Sequence, residues 1–324
     1  MDPAAFLRSA KLMIVAGKGG VCKTTVAATV ARVGADFGLR VLLVDVDGAA
    51  GLASAFGAGD LRYDDSALAI ENEVAGGCVY GRRLAPDDAL VEYLEGHGMR
   101  RLAGRLQSSG ALDVIATAAP GIKDILVLGK IKQIVQSGAY DLVIVDTPAS
   151  GHAVTFLRGA RSVADTVSGG PIRRQADEVL ELLTDHARCQ VLLVTLAEET
   201  PVSEVIETAF ALEDLVGVAL GPVVVNAVLG AVPPFPTGRR VASLPADAVA
   251  AVQAALAFGR QRVAGQSAQR ARLATELPLA QLTLPQLPGT GIGPELLRKL
   301  ADDLAAALRA MPEPTATVTG VGQR

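Results

Sequence analysis

With 324 residues, half of them hydrophobic, the chain has material for one large core or two ordinary ones. Aromatic residues make up only 3% and Trp is absent, which suits small-residue helices on a Val/Leu-rich parallel sheet and argues against a sandwich or lectin-like binding surface. A net charge of −4 supplies no general attraction for nucleic acid or anionic membrane, because such binding needs clustered Lys and Arg.

The N-terminus reaches an apolar run at Leu12 without a basic n-region, a long apolar stretch or a small-residue cleavage site, so no signal peptide is expected. Cys22, Cys78 and Cys189 are odd in number and widely spaced, which gives neither a disulfide framework nor a CxxC metal site. A reducing, cytoplasmic setting follows. Short apolar runs then alternate with longer periodic stretches along the chain, the signature of βαβ units and a doubly wound, mostly parallel sheet of the α/β class. The runs at Leu12–Ala16, Val41–Asp45, Leu112–Ala116, Leu142–Val145, Val191–Thr195, Pro222–Asn226 and Pro278–Leu284 read as strands. About a hundred residues separate the second of these from the strand that ends at Asp146, too long for a plain connection. A helical insert is expected there, at about 58–135, with helices over Pro86–Gln107 and Ile122–Val135. Further helices are expected at Pro201–Leu215, Arg239–Ala264 and Pro294–Ala310. One domain over 1–311 accounts for them all, and the tail at 312–324 lacks apolar periodicity and reads as disordered. The apolar window Leu215–Phe235 is broken by Pro222, Asn226, Pro233 and Pro234, so it reads as a buried strand with loops and no stable membrane insertion is expected.

The first strand runs into a Gly-rich turn and then a helix opening near Lys23, the context a phosphate-binding loop requires. Gly17, Lys23 and Thr24 fit the outer positions of GxxxxGK[ST]. Backbone N–H groups from Lys18 through Gly19, Gly20, Val21, Cys22, Lys23 and Thr24 would face the α- and β-phosphates, with Thr25 in the first helical turn, where the helix adds its positive end. Lys23 would pair with the β- and γ-phosphates and the Thr24 hydroxyl would ligate Mg²⁺. Cys22 stands where the pattern has Gly. A side chain at such a position strains the backbone by about 1–3 kcal/mol, enough at about 1.4 kcal/mol per tenfold to weaken nucleotide binding by one to two decades; a thiol near a helix N-terminus is also a candidate for acidification and redox sensitivity.

Lys18, directly after the first Gly, makes this loop resemble the deviant phosphate loop of the superfamily that contains the ParA/MinD, nitrogenase iron protein and arsenite-pump ATPases. In that group this lysine reaches across a dimer to the partner's phosphates. The stretch VLLVDVDGAAGLASAF is similar to the first switch of the arsenite-pump and tail-anchored-protein-targeting ATPases, which implies that Asp47 positions or deprotonates the attacking water and lies near the metal; Gly48 and Ala50 replace that family's Pro and His. LVIVDTPASGHAVTFL is similar to the second switch, which makes Asp146 the acid that holds Mg²⁺ through water and Pro148–His152 a γ-phosphate sensor. Asn226 matches the base-reading Asn, and the run after the last strand, including Pro285 and Leu287, would wall the adenine. The resemblance covers Leu12 to about Ala310 and favours the bacterial anion-transporting branch.

It implies a dimeric ATPase with ATP and Mg²⁺ as cofactors, built as a homodimer or as a heterodimer with a paralogous ATPase and acting on an unknown client protein. No zinc is expected, because the interface CxxC is missing, and no nucleic acid partner is expected. A weakly hydrolysing regulatory subunit marked by Cys22 and a ParA/MinD-like positioning ATPase are the alternatives. Cluster-dependent reduction is disfavoured, since Cys78 and Cys189 match no cluster positions.

Overall fold

The computed structural model describes residues 1–46, 48, 51–68, 76–96, 98–101, 104, 121–148, 152–235, 245–289 and 291–312. The chain opens with α1 (Pro3–Arg8), capped by the Asp2 carboxylate on the N–H groups of Ala4 and Ala5. β1 (Leu12–Ala16), α2 (Lys23–Asp36), β2 (Arg40–Asp45) and α3 (Gly51–Ala55) follow. Then come β3 (Ser66–Ala67), β4 (Cys78–Arg83), α4 (Pro86–Gly96), α5 (Ile122–Ser137), β5 (Leu142–Asp146), α6 (His152–Thr166) and α7 (Pro171–Thr184). The last part holds β6 (Cys189–Leu196), α8 (Glu199–Leu215), β7 (Ala219–Leu220), β8 (Val223–Val228), α9 (Ala246–Glu276), β9 (Gln281–Pro285) and α10 (Pro294–Ala310).

The strands form one sheet in the order β3-β4-β2-β5-β1-β6-β8-β9, with β7 beside β6. All pairings are parallel except β3 with β4. β1 lies between β5 and β6 and is buried at all five positions, which is why its sequence is a continuous apolar run rather than an alternating one. Successive residues nevertheless serve opposite faces. Leu12, Ile14, Val143, Val145, Val191 and Leu193 pack under α4, α5, α6, α7 and α8, whereas Met13, Val15, Leu142, Ile144, Leu192 and Val194 pack under α1, α2, α3 and α10. The fold is therefore α/β and doubly wound, as composition and periodicity indicate. Its carboxyl edge, where the strand order reverses beside β1, is the place such sheets bind ligands.

The expected helical insert differs in kind. Residues 58–135 do contain α4 and most of α5, but they also supply β3 and β4, which extend the sheet beyond β2. The strand CVYGRR escapes a pattern search because only Val79 and Gly81 of its six residues are buried and it carries two arginines. Gly81 is required by packing: a Cβ there would stand 2.6 Å from both Leu61 Cδ2 and Leu68 Cδ1. The expected strand at Leu112–Ala116 and the tail beyond Pro312 lie outside the described residues. α9 runs from Pro245 at its N-cap to Glu276, past the expected end at Ala264, while positions 239–244 of the expected helix lie outside the described residues. Gly265 does not stop it, since a single glycine weakens a helix by only about 1 kcal/mol. Pro278 bars continuation. No helix among the described residues is long and apolar enough to cross a membrane.

Candidate functional site

β1 delivers the chain to the carboxyl edge of the sheet, and the next six residues turn it into α2. Gly17 is buried against the neighbouring strand β6, and a Cβ on it would collide with the Val194 carbonyl oxygen, so no side chain fits there. Gly20 has φ 87° and open space around the place where a Cβ would sit, so the backbone conformation rather than packing asks for glycine there. Cys22 is the N-cap of α2 and holds the left-handed conformation, φ 64° and ψ 45°. Its carbonyl accepts the first helical bond, from Val26 N at 3.1 Å, and its exposed thiol lies 3.9 Å from the Gly20 oxygen. Lys18, Gly19 and Gly20 are exposed, whereas Val21 is buried as the loop's inner anchor.

Lys23 is only 7% exposed, and its ammonium donates to the Lys18 carbonyl at 3.2 Å. Thr24, one residue on, donates its hydroxyl to Asp146 Oδ2 at 2.6 Å. That contact joins the first turn of α2 to the end of β5 and brings the two metal-ligating candidates of the loop and the second switch together. Asp45 at the end of β2 stands opposite Asp146 in the parallel register, and both carboxylates are buried. Asp45 Oδ1 accepts from Gly48 N at 2.8 Å, so it shapes the start of the first switch. Thr147 fastens the start of the second switch, donating its hydroxyl to the Val15 carbonyl at 2.8 Å.

Lys18 is exposed but not without a partner. Its Nζ lies 2.9 Å from Glu204 Oε1 on α8, an ion pair that sequence reasoning missed. Asn226, at the carboxyl edge of β8, is buried and donates from Nδ2 to the Val21 carbonyl at 3.2 Å, so it braces the loop. The next residue, Ala227, has φ 54°, a left-handed position without glycine. β8 and β9 slip in register there, and Val228 pairs with Pro285. Pro285 is half-buried at the end of β9, while Leu287 packs on the core under α2. Thr25 lies in the first turn of α2, with its carbonyl taken by the Thr29 hydroxyl. Asp47 and residues 149–151 lie outside the described residues, as does the side chain of His152.

A Mg²⁺ ion bound with a triphosphate takes hard oxygen ligands and keeps several waters, so it asks little of the protein. The Thr24 hydroxyl beside the Asp146 carboxylate fits that demand. Among the described residues no group of three or more His, Cys, Asp or Glu could cage a metal. The three cysteines are free, and burial, with Asp185 nearby, pushes the Cys189 thiol up to about 12.

Residues 10–168 match the model of the "Anion-transporting ATPase" family. The chain belongs to that family. The ATPase BagA of Mycobacterium tuberculosis strain H37Rv is 37% identical over 229 residues, 68% of this chain and 66% of that protein. The ATPases get3 of Neurospora crassa and GET3 of Podospora anserina are 30% and 31% identical over 152 and 158 residues, each match covering 47% of this chain and 43% of the relative. The alignments thus span about two thirds or less of these relatives' lengths. Within the anion-transporting ATPase match fall the whole loop, Asp45, Asp47 and Asp146; Glu204, Asn226, Pro285 and Leu287 lie beyond it.

Proposed function

We propose that the chain is a MgATP-binding ATPase whose two-copy closure completes each nucleotide site. The observation that carries this reading is the 2.6 Å contact between Thr24 and Asp146, with the buried Lys23 one residue away. A cation, a hydroxyl and a carboxylate converge at a helix N-terminus beneath an open glycine-rich turn, which is the equipment for holding a triphosphate tail. Thr24 and Asp146 would hold magnesium there, and the ion would supply charge neutralisation for the phosphates.

The chain's own residues have separable tasks. The loop amides cradle the α- and β-phosphates, and Lys23 turns from the Lys18 carbonyl to the β/γ-phosphate oxygens. Thr24 and Asp146 hold the metal position, Asp146 through water. Asp47, by its place in the switch pattern, orients the attacking water and takes its proton. Asn226, Pro285 and Leu287 lie at the neighbouring strand ends β8 and β9, where an adenine base would be read. Lys18 serves the partner copy's phosphates, a charge delivered in trans that supplies what an arginine finger supplies elsewhere. The free cysteines suit a reducing, cytoplasmic setting. The insert carrying α4 and α5 is the natural transmitter of the nucleotide state to a client protein.

Calorimetry with MgATP and MgADP, followed by phosphate-release assays on Lys23→Ala and Asp47→Asn, tests the reading. Loss of turnover in both variants is expected. Unchanged phosphate release in either refutes the mechanism, and no heat with either nucleotide refutes the site. A second reading draws on Cys22: a left-handed cysteine in the cradle marks an attenuated subunit that regulates a paralogous partner in a heterodimer. It requires Cys22→Gly to raise affinity or turnover.

A further inference from the structure

Lys18 is tied at both ends of its residue. Its carbonyl accepts the Lys23 ammonium at 3.2 Å, and its own ammonium pairs with Glu204 at 2.9 Å. The two sides of the ion pair differ in stiffness. Lys18 sits on the loop with a side chain 43% exposed, whereas Glu204 stands on α8, a helix pinned to the core by Val202, Val205, Ile206, Ala209 and Leu212. A second tie reaches the adjacent residue, where Arg272 of α9 donates to Ser203 Oγ at 3.1 Å. The loop itself cannot drift from this platform, because Gly17 is packed on Val194 of β6, the strand that leads into α8.

We propose that Glu204 is a positioning residue that parks Lys18 on its own subunit and thereby competes with the contact Lys18 makes on a second copy of the chain. This rests on the dimer-closing role given to Lys18 above. The lysine has one ammonium and cannot satisfy both carboxylate and distant phosphate, so closure exchanges one ion pair for the other. Nucleotide binding in the same subunit loosens the latch. Once Lys23 turns to phosphate oxygens, the Lys18 peptide loses the bond that held its carbonyl. The order of events is then set within one protomer: phosphates first, release of Lys18 second, closure last.

Exposed ion pairs of this kind shift an equilibrium by about two- to fivefold, and closure breaks one in each protomer. Glu204→Gln should therefore tighten self-association with Mg²⁺ and a non-hydrolysable ATP analogue by about four- to twenty-fivefold, read by sedimentation equilibrium on the full chain. The same substitution made on Lys18→Ala should leave association where Lys18→Ala alone puts it, since no ammonium remains to park. The inference is overturned if Glu204→Gln leaves association unchanged or weakens it, or if it gives the same shift with and without Lys18. A wild-type chain that never associates with nucleotide, or a Lys18→Ala chain that associates as well as wild type, removes the dimer reading itself and this inference with it. Unchanged thermal unfolding of the Glu204→Gln protomer shows that any shift comes from association rather than from folding.

Discussion

Cys22→Gly separates two effects that a pattern of residues merges. In the pattern, a side chain at this position lowers nucleotide affinity, because the backbone there is strained. The fold itself, however, already places Cys22 at φ 64° and ψ 45°, so the strain weighs on folding and is not added when a nucleotide arrives. A left-handed L-residue costs about 1–2 kcal/mol relative to glycine, and the greater freedom of glycine in the unfolded chain takes back about 0.5–1 kcal/mol. The expected net gain is about 0.5–1 kcal/mol. With an unfolding entropy of about 2.1 cal/mol/K per residue over a chain of roughly 300 residues, that raises the melting temperature by about 1–2 °C. Affinity should change less than threefold, because the left-handed backbone at Cys22 is already in place before the nucleotide arrives. Differential scanning calorimetry and titration calorimetry on the same preparation decide it. A tenfold gain in MgATP affinity with no rise in melting temperature would refute this reasoning and favour the attenuated-subunit reading.

Gly17→Ala should lose nucleotide binding and destabilise the fold by about 1–3 kcal/mol, since the new methyl meets the Val194 backbone oxygen and neither strand can retreat cheaply; a chemical-denaturation midpoint equal to wild type would contradict the packing. Burial pushes the Glu92 carboxyl up, but hydrogen bonds from Lys130 and Tyr63 hold it on balance below its ordinary 4.5. A depressed carboxylate contributes stability that is present above the unfolded value and lost as pH falls through the folded one. Glu92→Gln should therefore flatten the loss of urea resistance below about pH 4.5, and an unaltered acid limb would exclude the network. Iodoacetamide should label exposed Cys22 in the native chain and spare Cys189, whose buried thiol is pushed up to about 12. MgATP at a hundred times its dissociation constant should slow Cys22 labelling by about a hundredfold; no protection would place the ligand elsewhere.

How much of this was legible without coordinates depends on what each residue answers to. β1, β2, β5, β6 and β8 are buried on both faces, so their apolar runs and the chemistry at their ends (Gly17, Asp45, Asp146, Asn226) can be read directly. β4 could not, because its burial is nearly confined to Val79 and Gly81 and its identity as a strand comes from partners β2 and β3. The left-handed Cys22 was visible as a departure from pattern, yet the pattern assigns its strain to binding, whereas the backbone assigns it to the fold. Asn226 shows a role as loop brace through Val21 that no motif implies. Glu204 is an unremarked helix acid in the sequence; only the packing of α8 beside the loop makes it the neighbour of Lys18. Ala227 gives no signal, since its positive φ is forced by the register shift between β8 and β9.

The loop's groups hold one another: Lys23 donates to the Lys18 carbonyl, Lys18 pairs with Glu204, and Thr24 donates to Asp146. Triphosphate binding at this site is then an exchange of partners rather than an addition of contacts, and the observed affinity is a difference between two satisfied states. The exchange at Thr24 is the most demanding, because the bond it gives up is short, charge-assisted and buried at Asp146, and such bonds contribute about 1.5–3 kcal/mol. Without a divalent ion for the hydroxyl and carboxylate to hold, that bond has no reason to open, and the Asp146 carboxylate would repel an incoming phosphate. Nucleotide binding here should accordingly depend on the divalent ion far more than a simple amide cradle would, by about ten- to a hundredfold between MgATP and ATP with chelator. Thr24→Val, which removes the hydroxyl and keeps the volume, should erase most of that difference. Equal affinity for ATP with and without magnesium in the wild-type chain would mean that the Thr24 to Asp146 contact is structural and that the metal position lies elsewhere.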